Sequence, residues 1–293
     1  MKILMIGSKG FLGSNLFNYF SQKHKVYGCD ILNDKNKNYF QVIKTNPDYS
    51  QIFKENKFDL CINASGSSNI QLSLTNPNLD YTLNVDNVKK ILDSIKDYNP
   101  ECKLLQISSA AVYGNPDSLP IKENSSKKPI SIYGKNKLIA EQLCNKYAKK
   151  HNIKITIVRP FSIYGPGLRK QIFWDLHQRS KQGEINIYGT GNESRDFIYI
   201  SDFINSMNLI VSKGLFKEEI YNIANGDEIF IKDAVKTFFK NRDIKYNFTG
   251  LIKIGDPINW KSDISKIQSL GYKTQINIKE GINNYLEWLK KLK

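Results

Sequence analysis

The first half of the chain alternates short apolar runs with longer amphipathic segments. An apolar run at residues 2–6 precedes a glycine-rich segment and a helical pattern, and a second run at residues 25–30 ends in an acid. Three later runs also predict buried strands: 58–65, 102–109 and 153–160. Helical spacing of apolar residues predicts helices at 78–96 and 133–149. This alternation is typical of a parallel sheet with helices on both faces.

The second half of the chain has a less regular pattern. Residues 184–189 and 195–200 have the apolar character of strands, and residues 201–212 have that of a helix. The segment 219–239 follows the pattern strand, turn, strand, helix, and residues 279–292 predict a final helix.

Together these patterns predict the fold class α/β, with a Rossmann-type doubly wound parallel sheet and a smaller C-terminal α/β region. We place a first domain at residues 1–165 and a second, smaller region at residues 166–293, with a boundary near Gly165 to Gly167. Some segments of the second region are expected to return to the first domain.

The composition supports a folded globular chain, since 40% of its 293 residues are hydrophobic and 12% are aromatic. Its formal net charge of +15 comes from lysines spread along the sequence without a long basic block, so we expect no nucleic-acid partner. Apolar runs are far shorter than the roughly 20 residues of a membrane span, so we expect no membrane association. The apolar N-terminal run is too short for a secretory signal, and we therefore expect a cytoplasmic protein.

The cysteines and histidines give no pattern of a metal site. Cys29, Cys61, Cys102 and Cys144 lie far apart and form no CxxC pair or grouping with the three histidines. We predict reduced structural thiols and no metal.

The glycine-rich segment has the spacing of a dinucleotide-binding loop. Gly7, Gly10 and Gly13 follow a strand and open a helix, where glycine permits a tight turn and a close approach of the backbone to a pyrophosphate. The helix N-terminus presents free N–H groups to the same charge. With Phe11 and Leu12, these residues are predicted to bind a cofactor, although a purely structural turn is the alternative.

An acid at the end of the second strand favours one form of that cofactor. Asp30 follows the glycine loop by about 20 residues, where a carboxylate accepts hydrogen bonds from the adenosine ribose and repels a 2′-phosphate. We therefore predict NAD(H) rather than NADP(H), with Asp30 and Ile31 at the ribose. Lys35 and Lys37 follow closely and weaken this preference, so NADP stays open.

Tyr133 and Lys137 are four residues apart on a predicted helix, so their side chains share one face. Two interpretations are open from the spacing alone: ordinary surface polarity, or a phenol whose proton a neighbouring ammonium has loosened.

Five motifs in a fixed order decide between them. "ISSAAVYG" (107–114) and "SIYGKNK" (131–137) are followed by "RPFSIYGPG" (159–167), "YGTGNESRDFIYISD" (188–202) and "YNIANG" (221–226). The set resembles the extended short-chain dehydrogenase/reductase family, and in particular its NAD-dependent nucleotide-sugar epimerases and dehydratases.

The resemblance implies catalytic roles for three residues. Tyr133 would exchange a proton with a sugar oxygen while hydride passes to or from nicotinamide. Lys137 would favour the phenolate through its charge and would bond the nicotinamide ribose. Ser109 would hydrogen-bond the same sugar oxygen, with Ser108 as the near alternative.

The resemblance also implies two sets of binding residues. It implies that residues 1–165 are the NAD(P)-binding Rossmann domain and residues 166–293 the nucleotide-sugar-binding region. Further cofactor-binding residues are Ala64, Ser65, Gly66, Asn84, Ser108, Tyr133, Lys137, Pro160 and Ser162. Substrate-binding residues are Ser109, Ala110, Ala111, Tyr133, Ser162, Arg169, Gln171, Arg195 and Lys253. Plain packing is the alternative for the small residues, and a surface salt bridge with Asp196 or Asp202 is the alternative for Arg195.

Departures from the family pattern reduce the number of activities that the resemblance allows. A 4,6-dehydratase of this family carries an Asp-Glu pair where this chain has Ala110 and Ala111, which cannot move protons. Ser162 and Lys253 stand where many members have Asn and Arg as diphosphate ligands, which leaves the nucleotide and the hexose open.

The reading that we favour is an NAD-dependent nucleotide-sugar 4-epimerase of the UDP-hexose type. An NAD(P)H-dependent 4-ketoreductase of a nucleotide-linked 4-keto-6-deoxy sugar is the close alternative, and a non-catalytic NAD-binding protein is a third. The family often forms homodimers through the helix that bears the Tyr-Lys pair and its neighbour, and we expect the same here.

Overall fold

A computed structural model of the protein describes residues 1–181 and 183–292. The strands are, in chain order, β1 (Lys2–Ile6), β2 (Lys25–Asp30), β3 (Tyr39–Gln41), β4 (Leu60–Asn63), β5 (Lys103–Ile107), β6 (Ile155–Pro160), β7 (Ser162–Tyr164), β8 (Glu184–Ile187), β9 (Ser194–Arg195), β10 (Phe197–Tyr199), β11 (Glu219–Ile223), β12 (Ile229–Phe230) and β13 (Lys245–Phe248). The helices are α1 (Phe11–Phe20), α2 (Ser50–Glu55), α3 (Ile70–Thr75), α4 (Pro77–Tyr81), α5 (Asn87–Tyr98), α6 (Ile132–His151), α7 (Gln171–Ser180), α8 (Ile200–Lys213), α9 (Ile231–Phe239), α10 (Ser265–Gln268) and α11 (Ile278–Lys290). Residues 182 and 293, which fall within the predicted second region, lie outside the described residues.

A seven-stranded sheet of order β3-β2-β1-β4-β5-β6-β11 forms the centre of the molecule, and every neighbouring pair in it is parallel. The chain builds outward from β1 to β3 on one side and then crosses to β4 on the other. The resulting switch point lies between β1 and β4, where sheets of this kind bind ligands beyond the carboxyl ends of their strands. The predicted α/β fold class with a doubly wound parallel sheet is confirmed.

The two faces of the sheet have separate apolar cores, because successive side chains of a strand point in opposite directions. Ile3 and Met5 of β1 pack into a core that includes residues of α1 and α8, whereas Leu4 and Ile6 pack against α2, α5 and α6. All four cysteines are buried and free, and they lie in the second core. Burial raises the pKa of every thiol, that of Cys102 to about 12.

The C-terminal part of the chain is connected to this sheet through β11. Its residues Glu219–Ile223 pair with β6 at the edge of the central sheet. Helices α9 and α11 add their apolar faces to the core that contains α1 and α8. The boundary near residue 165 itself stays a prediction.

Two predicted elements differ from those observed. The helix predicted at 78–96 consists of α4, a π-helical turn at Thr82–Asp86 and α5. The strand predicted at 195–200 is interrupted at Asp196, whose buried carboxylate accepts hydrogen bonds from the backbone N–H groups of Asn225, Gly226 and Ser262. The prediction of one continuous strand at 195–200 was therefore wrong, because the Asp196 side chain binds the backbone of distant loops at this point.

In the described part of the chain, no helix is both long enough and apolar enough to cross a membrane.

Candidate active site

The glycine loop is held tightly between the end of β4 and the start of α1. Gly7 has a φ of +80°, and a Cβ atom on it would lie 2.7 Å from the carbonyl carbon of Ala64. A Cβ atom on Gly13 would lie 2.0 Å from the Gly7 carbonyl oxygen. Gly10 precedes α1 as its N-cap and supplies no side-chain hydrogen bond, so the first N–H groups of the helix are left for another acceptor. The loop therefore presents backbone donors at a close approach, as a pyrophosphate requires.

The carboxylate of Asp30 is fixed at the end of β2 by three backbone donors, of which the Leu32 N–H, at 3.4 Å from Oδ1, is the most distant. Its Oδ2 accepts a hydrogen bond of 2.8 Å from the Lys9 N–H, and its Oδ1 accepts one of 2.7 Å from the Ile31 N–H. The Lys9 side chain pairs with Asp34 instead. Asp30 thus lies at the rim of the loop and forms no ion pair among the described residues.

A cavity of about 320 Å³ opens between these groups. It gathers seven of the predicted cofactor-binding residues: Gly7, Gly10, Asp30, Ile31, Ala64, Ser65 and Gly66. Its lining also contains residues that the sequence did not indicate: Ile6, Lys9, Leu32, Val42, Ile43, Lys44, Pro47, Tyr49, Leu83 and Asn87. The Tyr49 hydroxyl donates to Asn87 Oδ1 and Asn87 Nδ2 donates to Ser65 Oγ, both at 2.7 Å, which ties one wall together.

Asn84 lies behind Gly66 of the cavity wall and carries a buried polar atom without a partner among the described residues. It lies in the π-helical turn, a geometry that is frequent at functional sites. Its Nδ2 donates to the backbone and side chain of Asp80 at 3.1 Å, but its buried Oδ1 has no partner among the described residues. A Cβ atom on Gly66 would lie 2.6 Å from that Oδ1. The glycine cradle, the rim carboxylate and this unpaired oxygen together fit a dinucleotide such as NAD(H).

Tyr133 and Lys137 lie in the first turns of α6, which packs directly on a short 3₁₀ turn at Ala110–Val112. Ser131 caps the helix by accepting a 3.0 Å hydrogen bond from the Gly134 N–H. A Cβ atom on Gly134 would lie 2.6 Å from the Ala111 carbonyl oxygen, so only glycine permits this approach. The contact brings the Tyr133 hydroxyl close to the Ser109 side chain, which lowers the pKa of the phenol.

Burial drives both members of the pair toward their neutral forms. Tyr133 is 8% exposed, and burial raises its pKa to about 12 although the hydrogen bond with Ser109 lowers it. Lys137 is 5% exposed, and burial lowers its pKa to about 8. Its Nζ lies 5.9 Å from the centre of the Tyr133 ring and donates a long hydrogen bond of 3.4 Å to the Ile107 carbonyl. A lysine with this pKa is still mainly cationic at neutral pH.

The two adjacent serines have different partners. Ser109 faces Tyr133 and accepts a 3.1 Å hydrogen bond from the Ala111 N–H. Ser108 donates to Glu141 Oε1 at 2.6 Å, away from the phenol. The structure therefore brings Ser109 rather than Ser108 to the Tyr133 hydroxyl.

Behind the pair lies a buried polar network that sequence reasoning missed. The Arg159 side chain, 1% exposed, binds Glu141, 3% exposed, through Nε to Oε1 at 2.9 Å and Nη2 to Oε2 at 2.6 Å. Arg159 Nη1 donates to the Tyr113 hydroxyl, which in turn donates to Asn222 Oδ1 at 2.6 Å. The network joins α6 to β6 and β11. Its one sequence signal is that Arg159, one of only five arginines, ends an apolar strand.

Arg195 is the predicted substrate residue with the most definite surroundings. It is partly buried over the Trp260 ring, at 5.8 Å, and donates to the carbonyls of Ser194 and Ile258. In residues 1–181 and 183–292 it forms no ion pair, and the carboxylates of Asp196 and Asp202 bind backbone N–H groups. The alternative of a surface salt bridge is therefore not supported.

The remaining predicted residues lie apart from the cavity described above. Arg169 is exposed over the Trp174 ring at 5.9 Å, and Gln171 begins α7 with a φ of +66°. Lys253 is exposed in the loop after β13. Further positions are given by element: Phe11, Leu12 and Gly13 in α1, Ala110 and Ala111 in the 3₁₀ turn, Pro160 at the end of β6, and Ser162 in β7. Their ligand contacts stay predictions.

No group of three or more His, Cys, Asp or Glu side chains in the described residues is placed to hold a metal ion.

Comparison with known proteins connects this geometry to a family. The model of the NAD dependent epimerase/dehydratase family matches residues 3–224. A putative UDP-glucose 4-epimerase from Methanocaldococcus jannaschii is 28% identical over 98% of this chain and 98% of its own length. A UDP-glucuronate 4-epimerase from Thermodesulfobacterium geofontis is 28% identical over 92% of this chain and 80% of its own. The crystal structure of UDP-glucuronic acid 4-epimerase from Bacillus cereus, in complex with UDP-glucuronic acid and NAD, has a TM-score of 0.91 and 26% identity and covers 100% of both chains.

The buried ion pair gives a prediction about stability. Replacing Glu141 by Leu leaves the Arg159 charge buried without a partner, which we expect to cost about 3–5 kcal/mol in the free energy of unfolding. The double variant Glu141→Leu/Arg159→Met removes both charges. Its loss in the free energy of unfolding is expected to be smaller than the sum of the losses in the two single variants. Urea unfolding of the wild type, Glu141→Leu, Arg159→Met and the double variant measures the coupling energy between the two side chains.

The exposed pair Lys154–Glu101 supplies the control, since Glu101→Leu removes one partner of an ion pair at the surface. We expect its unfolding midpoint to stay close to that of the wild type. Equal losses from Glu141→Leu and Glu101→Leu, or strict additivity in the double variant, would contradict the role given to the buried pair.

Proposed function

The chain belongs to the NAD-dependent epimerase/dehydratase family, and we propose that within it the protein is an NAD-dependent 4-epimerase of a UDP-linked hexose. The observation that carries the proposal is the buried Tyr133 hydroxyl, which lies close to Ser109 and is followed four residues later by Lys137 on the same helix. This pair lies beyond the carboxyl ends of a parallel sheet that also carries a glycine loop of dinucleotide-binding spacing. The UDP-glucuronic acid 4-epimerase described above, crystallised with its nucleotide sugar and NAD, supports the choice of reaction and nucleotide.

The cofactor site follows from the chain's own groups. The backbone of Gly7 to Gly13 and the N-terminus of α1 hold the pyrophosphate, and Asp30 accepts hydrogen bonds from the adenosine ribose. Lys137 holds the nicotinamide ribose. When bound, NAD⁺ supplies a reversible acceptor for hydride.

Tyr133 performs the proton transfers at the sugar. As hydride leaves C4, the phenolate takes the proton of the 4-hydroxyl group, so that a C–H and an O–H bond break and the C4 carbonyl forms. The 4-keto sugar then rotates within the site, so that the opposite face of C4 is presented for hydride return. When hydride returns to the opposite face of C4, Tyr133 gives its proton back to O4, and the product differs from the substrate only in the configuration at C4. Ser109 hydrogen-bonds the same oxygen and orients it.

Charge makes this phenol usable as a base. The Tyr133 pKa is raised to about 12, far above neutrality, and burial is the largest cause. The cationic Lys137 and the positive charge of an oxidised nicotinamide both stabilise phenolate in a site that water hardly reaches. The Lys137 pKa of about 8 leaves that lysine protonated where it is needed.

Two features distinguish the epimerase from related activities. Ala110 and Ala111 carry no group that transfers protons, so the water elimination of a 4,6-dehydratase has no acid or base there. Asp30 at the cavity rim favours NAD(H), which suits an enzyme that retains and recycles its cofactor.

We also propose that the protein works as a cytoplasmic homodimer that pairs through α5 and α6. These helices pack side by side on one face of the sheet. The free, buried cysteines are consistent with a reducing compartment.

The activity is tested first by denaturing the purified protein and quantifying released NAD(H). We expect near one cofactor per chain, and interconversion of C4 epimers when UDP-glucose, UDP-glucuronate or UDP-N-acetylglucosamine is supplied without added reductant. Little bound cofactor together with oxidation of added NADH or NADPH by a 4-keto-6-deoxy sugar nucleotide would instead identify a 4-ketoreductase. Cofactor without turnover of any sugar nucleotide would identify a non-catalytic NAD-binding protein.

Replacing Tyr133 by Phe is expected to lower kcat by at least about a thousandfold, because it removes the hydroxyl that carries the proton. NAD(H) affinity, measured by calorimetry, is expected to stay near the wild-type value. Tyr81→Phe, a change at an exposed tyrosine, serves as the matched control. Turnover within tenfold of wild type in Tyr133→Phe would exclude the assignment.

Replacing Asp30 by Ala is expected to narrow the preference for NAD(H) over NADP(H) by roughly tenfold or more, because the carboxylate that repels a 2′-phosphate is lost. Calorimetric titration of the cofactor-free protein with both dinucleotides measures the ratio. The control Asp34→Ala removes a neighbouring acid that pairs with Lys9. An unchanged ratio in Asp30→Ala, or an equal change in both variants, would rule out the ribose role.

A further inference from the structure

Asp80 is a completely buried acid beside the proposed catalytic pair. It ends no strand and forms part of no sequence motif, but its side chain is 0% exposed. Oδ1 accepts a 3.1 Å hydrogen bond from Asn84, and Oδ2 accepts one of 2.8 Å from Asn136. Both donors are neutral amides, and no ion pair joins Asp80 in the described parts of the chain. Burying a carboxylate is costly unless hydrogen bonds and an opposite charge compensate it.

Lys137 is the corresponding buried cation. Its one hydrogen bond is the 3.4 Å contact with the Ile107 carbonyl, and it too lies in no ion pair among the described residues. Two carboxylates act on it through space, Asp80 and Glu141. The charge of Glu141 is already offset by the double hydrogen bond from Arg159. Asp80 is therefore the acid whose charge is free to compensate Lys137.

We propose that Asp80 is a positioning residue for the proton transfer, and that its carboxylate supplies the negative charge which keeps the Lys137 ammonium buried beside Tyr133. Asn136 and Asn84 hold the carboxylate in place from α6 and from the π-helical turn. The inference deepens the proposed function and rests on it, since Tyr133 and Lys137 are the groups it acts through.

The other titratable groups around the pair do not replace this charge. On α6, Tyr133 and Lys137 are accompanied by Glu141, which Arg159 neutralises, and by Cys144, whose thiol is kept neutral because burial raises its pKa. On β5 and the 3₁₀ turn, the facing groups are the Ile107 carbonyl and the hydroxyl of Ser109. The negative charge of Asp80 raises the pKa of Lys137 and also that of Tyr133.

The pH dependence of kcat/KM tests the proposal in the holoenzyme, with the UDP-hexose that the wild type converts. In Asp80→Asn, loss of the charge is expected to move both the acidic limb and the alkaline limb to lower pH by about one unit. Asp97→Asn removes the same charge from an exposed position on α5 and is expected to leave both limbs unchanged. Asn136→Ser removes the hydrogen bond but keeps the Asp80 charge, so its limbs are also expected to stay in place even if activity falls.

Urea unfolding between pH 6 and 10 provides a second readout that needs no turnover. Below the Lys137 pKa of about 8, Asp80→Asn lacks the attraction between the two charges and is expected to be less stable than the wild type. The deficit should shrink as pH rises through 8, because folded Lys137 loses its proton and with it the attraction. A role confined to hydrogen bonding would give the same deficit at every pH.

These outcomes separate the two proposals. The inference would be overturned if the pH profile of Asp80→Asn matched that of the wild type and its loss of stability were the same at every pH. It would also be overturned if Asn136→Ser shifted the pH profile as much as Asp80→Asn does. If the wild type turns over no sugar nucleotide, the proposed function fails, and the unfolding series still decides whether Asp80 compensates Lys137.

Discussion

The buried ion pair between Glu141 and Arg159 fixes the position of α6 on the central sheet. Two charges without access to water are stable only if every polar atom of the pair has a partner, and Ser108 and Tyr113 provide those partners. A sliding or rotation of α6 would break several of these bonds at once. Tyr133 lies two turns earlier on the same helix, roughly 12 Å away at 1.5 Å per residue, and it takes its position from this anchor.

Within the site, burial and function act in opposite directions. Exclusion of water raises the pKa of Tyr133 and lowers that of Lys137, so the protein by itself favours a neutral phenol. A phenolate exists there only together with compensating positive charge, which makes the two titrations properties of the pair rather than of either residue. In the proposed function, Tyr133 would therefore become an effective base only when positive charge is bound beside it.

What could be predicted from the sequence is the part that local patterns encode. Apolar periodicity indicated the strands and helices of the doubly wound sheet. The glycine spacing and the interval from Tyr133 to Lys137 indicated the residues from which the candidate site is built, and their roles stay predictions. Periodicity shows which face of an element is apolar, but it does not show which polar residue is buried with a distant partner. Asp80, Arg159 and the cavity residue Asn87 were missed for that reason, and Asp196 interrupts a strand through bonds to backbone far along the chain.

The return of β11 to the central sheet affects how the protein is made on the ribosome. When β6 has been synthesised, the glycine loop and the Tyr133 helix are already present, but the edge of β6 still lacks its neighbour. The missing strand arrives only after α7 and α8, and it brings Asn222, which closes the polar network through Tyr113. The nascent chain thus carries an open sheet edge over a long interval. Completion of the site is thereby coupled to synthesis of the C-terminal region that is proposed to hold the substrate.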